Sequence, residues 1–417
     1  MLTDDFIREL ISVGEVDLLV GVPTHNNAET VGEVVQAIRV GLLKYFPRER
    51  VVIVNADGGS KDSTRDVIAA ASINDVQRSS ELYALRTLHC ITTVYDGSPA
   101  TEVALRTILA AAELVRAKAC AIVSPESTNI APDWIDHLLR PVYRDDFDLI
   151  TPLYRRHKFD GLLLRNLVYP MMRALYAKRL REPYAVEFAF SGRLGSHLLE
   201  QQVWDHGAGG VGTEMRVTLA AIAGEFRLGQ TFLGTKQHLD RSSADLVPAM
   251  RQTVGTLFSS LEPNFQLWSA NHATENIPTF GAEYDLTAEP IRVNRKRLYQ
   301  LFSSGVSELE PVLKSILSAQ TLTEIQGITT LAEDDFRYSH ELWVRTVYEF
   351  AASYHKSVIN RDHIIQALAP LYRGKVYTFL LENRDASGEE IEAHVETLCL
   401  TFERLKPYLL DLWNARE

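Results

Sequence analysis

The sequence predicts an α/β fold, a doubly wound Rossmann-like sheet domain followed by an all-helical C-terminal region. Apolar runs of strand length alternate with segments of helical periodicity from residue 17 to 124, which is typical of a parallel sheet with helices on its faces. After about residue 245, almost every segment repeats its apolar residues with the period of a helix. We therefore predict an α/β domain over 1–245 and a helical domain over 246–417.

The elements of the first domain follow from these patterns. Strands are predicted over 17–22, 51–56, 87–95 and 119–125, with helices over 28–46, 60–72 and 100–119 between them. Beyond residue 150 we predict a long helix over 162–180, interrupted at Pro170, a loop and short strand over 182–195, and a strand over 224–239. This second part departs from the regular alternation.

The C-terminal half reads as a series of amphipathic helices. They are predicted over 245–262, 295–317, 336–358, 362–383 and 389–413. Their aromatic and leucine stripes favour a packed core or a dimer interface over a cofactor pocket. The polar stretch over 271–290 is the best candidate for a linker.

Composition excludes several classes of protein. A net charge of −11 argues against non-specific binding to nucleic acid, which needs a basic face. No apolar run approaches the roughly 18–20 residues of a membrane span, and the charged N-terminus predicts an amphipathic helix, not a signal peptide. Cys90, Cys120 and Cys399 lie far apart, which favours reduced thiols in a cytoplasmic protein.

The segment VVIVNADGGSKDST, residues 51–64, carries the first candidate site. Asn55, Asp57, Gly58 and Gly59 end a buried strand at the edge where doubly wound sheets bind their ligands. Asp57 there can accept hydrogen bonds from a base or ribose, and the glycines permit close approach of a ligand. The alternative is a plain strand-to-helix turn that Asp57 caps. The residues alone leave both interpretations open.

Six motifs in order resemble one enzyme group, the GT-A glycosyltransferases that make glucosylglycerate, mannosylglycerate or glucosyl-3-phosphoglycerate. These motifs are DLLVGVPTHNNAETV (17–31), VVIVNADGGSKDST (51–64), APDWIDHLLRPV (131–142), YRRHKFDG (154–161), FAFSGRL (188–194) and LGTKQH (233–238). The resemblance covers roughly residues 15–260 and implies a GT-A nucleotide-sugar-binding fold. No single motif is specific, whereas the ordered series is.

The resemblance implies a nucleotide site along the first two motifs. Pro23, Thr24, Asn26 and Glu29 would contact base and ribose, while Asp57 would bond the edge of the base. Gly58 would lie beside the base, and Asn55 belongs to the same edge.

It also implies a metal site. The family places an Asp-x-Asp motif after the fourth strand, where it holds a divalent cation that assists departure of the diphosphate. Here Ser124 and Glu126 occupy the two aspartate positions, and His238 matches a distant third ligand. Mg²⁺ or Mn²⁺ held by Glu126 and His238 is the expectation. A solvated loop carboxylate and a surface histidine are the alternatives.

Other family positions are altered in this chain. Thr101 stands where relatives carry a lysine near the diphosphate. Glu187 replaces an aspartate expected to orient the hydroxyls of the donor sugar, and Glu214 replaces a second aspartate. Each replacement of an aspartate by a glutamate moves the carboxylate by about one C–C bond, and displacements of about 1 Å reduce turnover.

YRRHKFDG concentrates positive charge in an acidic chain. Arg155, Arg156, His157 and Lys158 suit an anionic acceptor, because guanidinium pairs with carboxylate in a bidentate manner. We assign Arg156 and His157 to the acceptor. The alternative is a helix-entry cluster that pairs with nearby acidic residues, namely Asp145, Asp146 and Asp160.

Two functions are compatible with these residues. The first is a retaining glycosyltransferase that moves a hexose from a nucleotide diphosphate sugar to glycerate, 3-phosphoglycerate or a similar hydroxy acid. The resemblance also implies that the protein is a homodimer. The second is a catalytically impaired relative that binds a nucleotide or sugar as a regulatory or partner subunit. A dinucleotide-dependent dehydrogenase is disfavoured because no GxGxxG follows the first strand, and a serine hydrolase because GxSxG is missing.

Overall fold

The computed structural model describes residues 2–78, 88–95, 101–201, 212–235, 246–270, 273–281, 294–333 and 335–415. The chain forms two compact units that alternate along the sequence. The first comprises Met1–Arg155, Glu182–Arg241 and Ile277–Leu286, and the second comprises Arg156–Arg181, Ser242–Asn276 and Thr287–Glu417. This division differs from the single boundary predicted at 245/246, because residues 156–181 pack with the C-terminal helices.

A mixed sheet of eight strands forms the first unit. The strands are β1 Leu18–Thr24, β2 Val51–Asp57, β3 His89–Val94, β4 Ala119–Ile122, β5 Leu149–Arg155, β6 Phe188–Ser191, β7 Leu228–Thr235 and β8 Thr279–Phe280. Their order is β3-β2-β1-β4-β6-β5-β7-β8. β6 runs antiparallel to both β4 and β5, and the other neighbours are parallel.

The helices are numbered along the whole chain. They are α1 Asp4–Val13, α2 Val31–Tyr45, α3 Thr64–Arg78, α4 Thr101–Leu114, α5 Asp133–Asp145, α6 Tyr169–Tyr176, α7 Gly192–Glu200, α8 Thr213–Ala223, α9 Leu246–Met250, α10 Thr256–Leu261, α11 Phe265–Ser269, α12 Arg295–Glu308, α13 Glu310–Ile316, α14 Ala319–Thr329, α15 His340–Lys356, α16 Arg361–Glu382, α17 Gly388–Arg404 and α18 Lys406–Asn414. Among the described residues, no helix is long and apolar enough to cross a membrane.

Helices cover both faces of the sheet. Val20 belongs to one core cluster with Ile38 of α2 and Ile135 of α5. The neighbouring Gly21 faces α4, where a Cβ would lie 2.5 Å from a side-chain carbon of Ile108. Alternate residues of β1 therefore face opposite layers, as the period of a strand requires. Together with the helical second unit, this arrangement confirms the predicted α/β fold class.

The topology fixes where a ligand can bind in the first unit. β1 pairs in parallel with β2 on one side and with β4 on the other. The strand order therefore reverses between β1 and β4, and crevices beyond the carboxyl ends of such strands are the usual binding sites of α/β sheets. The predicted nucleotide and metal residues follow β1, β2 and β4.

The second unit is helical and contains two π-helical turns among its described residues, Leu164–Val168 and Arg251–Gly255, that the sequence did not specify. The helix predicted over 162–180 begins as a π-helical turn, Leu164–Val168, and continues as α6 with Pro170 in its first turn. Arg173 of α6 is 1% exposed and forms ion pairs with Glu396 and Glu403 of α17. α6 is thereby fastened to the C-terminal helices.

Two other differences from the expected elements concern short segments. The predicted linker contains a strand, because Thr279–Phe280 forms β8 and pairs with β7. Within the predicted loop–strand element, β6 is only four residues long and Gly192 already begins α7. Ser191 caps α7 by accepting the amide of Leu194.

Candidate functional site

Asp57, the last residue of β2, organises the turn that follows it. One carboxylate oxygen accepts the amides of Gly59 (3.0 Å) and Ser60 (2.8 Å). The other accepts the hydroxyls of Thr24 (3.0 Å) and Ser60 (2.5 Å). Asp57 is 0% exposed. In the structure Asp57 therefore caps the turn that follows β2, as the alternative interpretation expects. Its contact with a nucleotide base stays a prediction, and that contact would require exchange of one of these four hydrogen bonds.

Asn55 lies inside the sheet and does not face the ligand edge. Its amide nitrogen donates to the Val22 carbonyl (2.9 Å) and to the Thr24 hydroxyl (2.8 Å). Because Thr24 accepts from Asn55, its own proton is directed at Asp57. Asn55 thus acts through Thr24 to hold Asp57 in place.

The loops after β1 and β2 are joined by hydrogen bonds. The Asn26 amide donates to the Ser60 hydroxyl (2.9 Å), and the Asn26 side-chain oxygen accepts the Lys61 amide (2.9 Å). The Asn27 amide donates to the Thr64 hydroxyl (2.8 Å). Asn26 adopts a left-handed φ of 55°. The two loops therefore form one fixed edge beyond β1 and β2.

The remaining nucleotide-site candidates lie along this edge. Gly58 donates its amide to the Thr24 carbonyl (2.8 Å), which continues the pairing of the strands into the turn. Glu29 is exposed in the turn that precedes α2. Pro23, near the end of β1, lines the cleft described below.

Glu187 is a buried carboxylate held by two hydroxyls. It precedes β6 and is 1% exposed. One oxygen accepts Ser127 (2.6 Å) and the other accepts Tyr154 (2.7 Å). The antiparallel insertion of β6 between β4 and β5 brings these three residues together. Sequence reasoning missed Ser127 and Tyr154, although Ser127 follows Glu126 and Tyr154 opens the YRRHKFDG motif.

The loop after β4 carries the described part of the predicted metal site. Glu126 is half-buried, and its amide donates to the Ser124 hydroxyl (3.2 Å). The Asn129 amide nitrogen bonds the carbonyl of Thr235, the last residue of β7. Thr235 lies three residues before His238 in sequence, whereas His238 itself lies outside the described residues.

The donor chemistry of this loop fits a hard cation in part. Glu126 offers carboxylate oxygens, which Mg²⁺ and Mn²⁺ accept. The side-chain oxygen of Asn129 is buried without a hydrogen-bond partner in the described structure. Within the described ranges, no three His, Cys, Asp or Glu side chains are grouped to hold a metal.

A narrow cleft of about 10 Å³, enough for about one water molecule, lies near the ends of β1 and β4. Its lining residues are Pro23, Thr101, Leu105, Ile108, Ile122, Val186, Phe188 and Glu214. The structure thus brings together three positions that the motifs singled out far apart in sequence, namely Pro23, Thr101 and Glu214. The other walls are apolar, so Thr101 and Glu214 supply the polar side chains of the lining.

In the second unit, the loop that follows β5 is shaped by an Asp–Gly pair. Arg156 forms an ion pair with Asp160 (2.9 Å), whose other oxygen accepts the Gly161 amide (2.7 Å). Gly161 has a φ of 63°, and a Cβ there would lie 3.3 Å from Cδ of Arg156. Glycine is therefore required both for the backbone and for the space that the Arg156 side chain occupies.

His157 and Lys158 differ in what they offer a ligand. His157 accepts the Phe159 amide at Nδ1 (3.2 Å), so the neutral ring carries its proton on Nε2. Burial, aided by the charge of Lys158, lowers the pKa of His157. Lys158 donates to the carbonyls of Arg384 (2.6 Å) and Ala386 (3.3 Å). The Lys158 ammonium is thus engaged with backbone, unlike the predicted ligand-binding role of the cluster.

Comparisons with known proteins were made by family model, curated sequence and structure. No protein-family model matches the chain, and the search of curated proteins finds no match. Among solved structures, glucosyl-3-phosphoglycerate synthase from Mycobacterium tuberculosis with Mn²⁺, uridine diphosphate and glucosyl-3-phosphoglycerate is 21% identical, with a TM-score of 0.45, over 61% of this chain and 83% of that one.

Two further solved structures have similar values. The same synthase with Mg²⁺ and uridine diphosphate is 21% identical, with a TM-score of 0.44, over 61% of this chain and 82% of that one. A mycobacterial protein is 23% identical, with a TM-score of 0.45, over 61% of this chain and 78% of that one. The synthase is one of the enzymes whose motifs the sequence resembles.

Proposed function

We propose that this chain is a glycosyltransferase that moves a hexose from a nucleotide diphosphate sugar to a small anionic hydroxy acid such as glycerate or 3-phosphoglycerate. The observation that carries the proposal is the 2.6 Å hydrogen bond from Ser127 to Glu187. It joins the loop of Glu126, the predicted metal ligand, to the carboxylate predicted to orient the donor sugar. Both lie at the carboxyl end of the sheet, where α/β folds bind ligands.

Each candidate residue has a role in this proposal. Asn26, Glu29, Thr24 and Pro23 belong to the edge that would receive the base and ribose, and Asp57 with Gly58 fixes that edge. Glu187 and Glu214 would orient the donor sugar, while Arg156 and His157 would bind the anionic acceptor.

The chemistry asks little of the protein beyond positioning. In front-face transfer with retention, the departing phosphate takes the proton of the acceptor hydroxyl, so no enzymatic nucleophile is needed and electrostatics carry the rate. Glu126 and His238 would hold a divalent cation, which, when bound, neutralises the diphosphate. Glu187, fixed by two hydroxyls, keeps a defined position for the sugar. The expected homodimer and cytoplasmic location stay predictions.

The apolar cleft favours a second candidate function. A diphosphate needs positive charge or strong donors, and the lining near Thr101 offers one hydroxyl and the Glu214 carboxylate. A protein that binds a nucleoside or sugar along the edge of β1 and β2, without a diphosphate, would need no positive charge at this lining. On this alternative the chain is a catalytically impaired binding or partner subunit.

A titration followed by an assay separates the two functions. The full-length protein is titrated calorimetrically with UDP-, GDP- and ADP-glucose and with GDP-mannose, each with and without Mg²⁺ or Mn²⁺. The same mixtures then receive D-glycerate or 3-phosphoglycerate, and released nucleotide is measured. Release that depends on the acceptor supports the transferase. Binding without release supports the second function, and neither binding nor release excludes both.

A pair of variants localises the result. Glu187→Gln preserves the shape of the side chain but removes its charge and replaces one acceptor oxygen by an NH₂ donor, so we expect at least a tenfold loss of nucleotide release. Glu113→Gln is the matched control, because Glu113 is exposed on α4 and belongs to no candidate site. Equal loss in both variants would contradict the proposed role of Glu187.

A further inference from the structure

Arg165 is a basic residue that the motif analysis did not single out. It lies on the π-helical turn Leu164–Val168 of the second unit and is half-buried. Its backbone amide donates to the Gly161 carbonyl (2.9 Å), and one guanidinium nitrogen donates to the Lys158 carbonyl (3.3 Å). Within the described part of the chain, no carboxylate lies within 4.0 Å of its guanidinium.

Arg165 belongs to a group of three guanidinium groups and two carboxylates, which carries one net positive charge. The charges of Arg156 and Arg181 both act on it. The two carboxylates that also act on it are already bound elsewhere, because Asp160 pairs with Arg156 and Glu392 pairs with Arg181. Burial lowers the pKa of Arg165, and the charge of Glu392 opposes this shift only in part.

Such an arrangement disfavours the folded protein on its own. Withdrawing a guanidinium from water costs free energy unless an anion or several acceptors replace the water. One long hydrogen bond to a carbonyl uses a small part of the donor capacity of Arg165. A purely structural role at this position would be served equally well by an uncharged side chain.

We propose that Arg165 is the centre of an anion-binding site in the second unit, flanked by Arg156 and Arg181, that takes the carboxylate or phosphate of a small acid. A guanidinium presents paired donors that match the two oxygens of such a group. The identification of this acid with the acceptor rests on the proposed function. The π-helical turn is a feature often found at functional sites, and here it carries the central residue.

Binding to three named probes tests the site in the full-length protein. Inorganic phosphate, D-glycerate and 3-phosphoglycerate are titrated separately by calorimetry, without any nucleotide sugar. We expect Arg165→Gln to weaken the tightest of them at least tenfold and Arg165→Lys to weaken it less, since lysine keeps the charge but loses the fork. Binding of both glycerate and phosphate assigns a site for either anion, whereas phosphate without glycerate assigns a phosphate site.

Arg404→Gln is the matched control. Arg404 belongs to the same unit and pairs with Glu341 on an exposed surface. We expect this variant to bind the probes like the wild type. Equal weakening in Arg404→Gln and Arg165→Gln would reflect net charge alone and would overturn the proposal, as would the failure of all three probes to bind the wild type.

Thermal unfolding supplies a second readout. The proposed site and a purely structural role of Arg165 predict opposite changes in the unfolding temperature on substitution. Without a probe, Arg165→Gln should unfold at the same or a higher temperature than the wild type, because a partly buried guanidinium with no carboxylate of the described residues within 4.0 Å has been removed. A lower unfolding temperature together with unchanged probe affinity would show that Arg165 is structural. That combination overturns the proposal even if the variant is poorly stable.

The outcomes also separate this inference from the proposed function. If the probes bind through Arg165 but no nucleotide is released with any donor, the anion site stands and the transferase does not. If nucleotide is released and Arg165→Gln leaves the acceptor KM unchanged, the transferase stands and the identification of this site with the acceptor site is refuted.

Discussion

The Tyr154 hydroxyl donates a 2.7 Å hydrogen bond to one carboxylate oxygen of Glu187, and Ser127 donates a 2.6 Å bond to the other. Tyr154 lies on β5, whereas Ser127 lies in the loop after β4. Glu187 therefore accepts hydrogen bonds from both sides of β6, which lies between these two strands. A buried carboxylate bonded at both oxygens has a fixed orientation. This fixation makes Glu187 suitable for holding one particular arrangement of sugar hydroxyls.

Removing the Tyr154 hydroxyl should destabilise the first unit. Tyr154→Phe leaves one oxygen of the buried Glu187 without its donor, and a hydrogen bond to a charged group contributes about 1.5–3 kcal/mol. We expect a loss of this size in the free energy of unfolding measured with urea. Tyr299→Phe is the control, since its hydroxyl makes an exposed bond to the Leu331 carbonyl. Similar losses for both would argue against a special role of Tyr154.

Asp57→Asn should destabilise the turn that follows β2. The amide NH₂ of asparagine would face hydroxyl or amide donors that now point at a carboxylate, so at least one of the four bonds is lost. We expect destabilisation of about 2 kcal/mol by urea unfolding. Asp411→Asn, an exposed substitution on α18, should change stability little. A neutral effect of Asp57→Asn would mean that its hydrogen bonds do not hold the turn.

Metal dependence should run through Glu126. If Glu126 binds the cation, chelation with EDTA should weaken binding of the nucleotide sugar, and Glu126→Gln should abolish the difference between Mg²⁺ and EDTA. We expect about a tenfold effect in calorimetric Kd, equivalent to about 1.4 kcal/mol. The exposed Glu113→Gln should retain the full metal response. A Glu126→Gln variant with the same response would place the cation elsewhere or exclude it.

A buried pair of histidines should make the second unit sensitive to acid. The Nε2 atoms of His340, on α15, and His394, on α17, lie 3.1 Å apart. Lys375 of α16 is 0% exposed beside them, and Glu382 lies 4.0 Å from Nδ1 of His394. Burial, with the charge of Lys375, lowers the pKa of His340 to about 3 and that of His394 to about 4. Both rings are therefore neutral in the folded protein at neutral pH.

The sign of the pH effect follows from these lowered values. Below an unfolded pKa of about 6.5, the unfolded chain takes up protons that the folded pair refuses, so stability is lost as the pH falls from about 6.5 towards 4. We expect His394→Gln to flatten this part of the profile of urea midpoint against pH. His363→Gln, an exposed change on α16, should leave it unchanged. Parallel profiles for the two variants would refute the assignment.

β1 and β2 could be predicted from sequence because each begins with a continuous apolar run. Val51–Asp57 and Leu18–Thr24 match the predicted strands within two residues. The short β6 could not be predicted in its antiparallel setting, because four residues carry no signal of direction. The partners of Glu187 follow from that setting, so Tyr154 and Ser127 were out of reach of sequence reasoning.

The hydrogen-bond partners of the polar residues on β2 could not be predicted from the sequence either. Asn55 and Asp57 share one face of β2 by their spacing, yet the sequence does not say whether a ligand or the protein satisfies them. In the structure Thr24 and Ser60 bond Asp57, and Thr24 accepts from the Asn55 amide nitrogen, whereas the Asn55 side-chain oxygen is buried without a hydrogen-bond partner among the described residues. Likewise the YRRHKFDG motif predicted a basic cluster, but only the fold shows that Lys158 turns to backbone carbonyls while Arg165, seven residues later, joins the cluster.

The hydrogen bonds between the loops of Asn26 and Ser60 have a kinetic consequence. Because protein groups already hold this edge in one conformation, a flat aromatic ring arriving there meets its final surface at first encounter. Association should then show a single phase whose rate varies little among related ligands, and differences in affinity should appear in dissociation. Selectivity among ligands at this edge should then be set by their dissociation rates and not by their association rates.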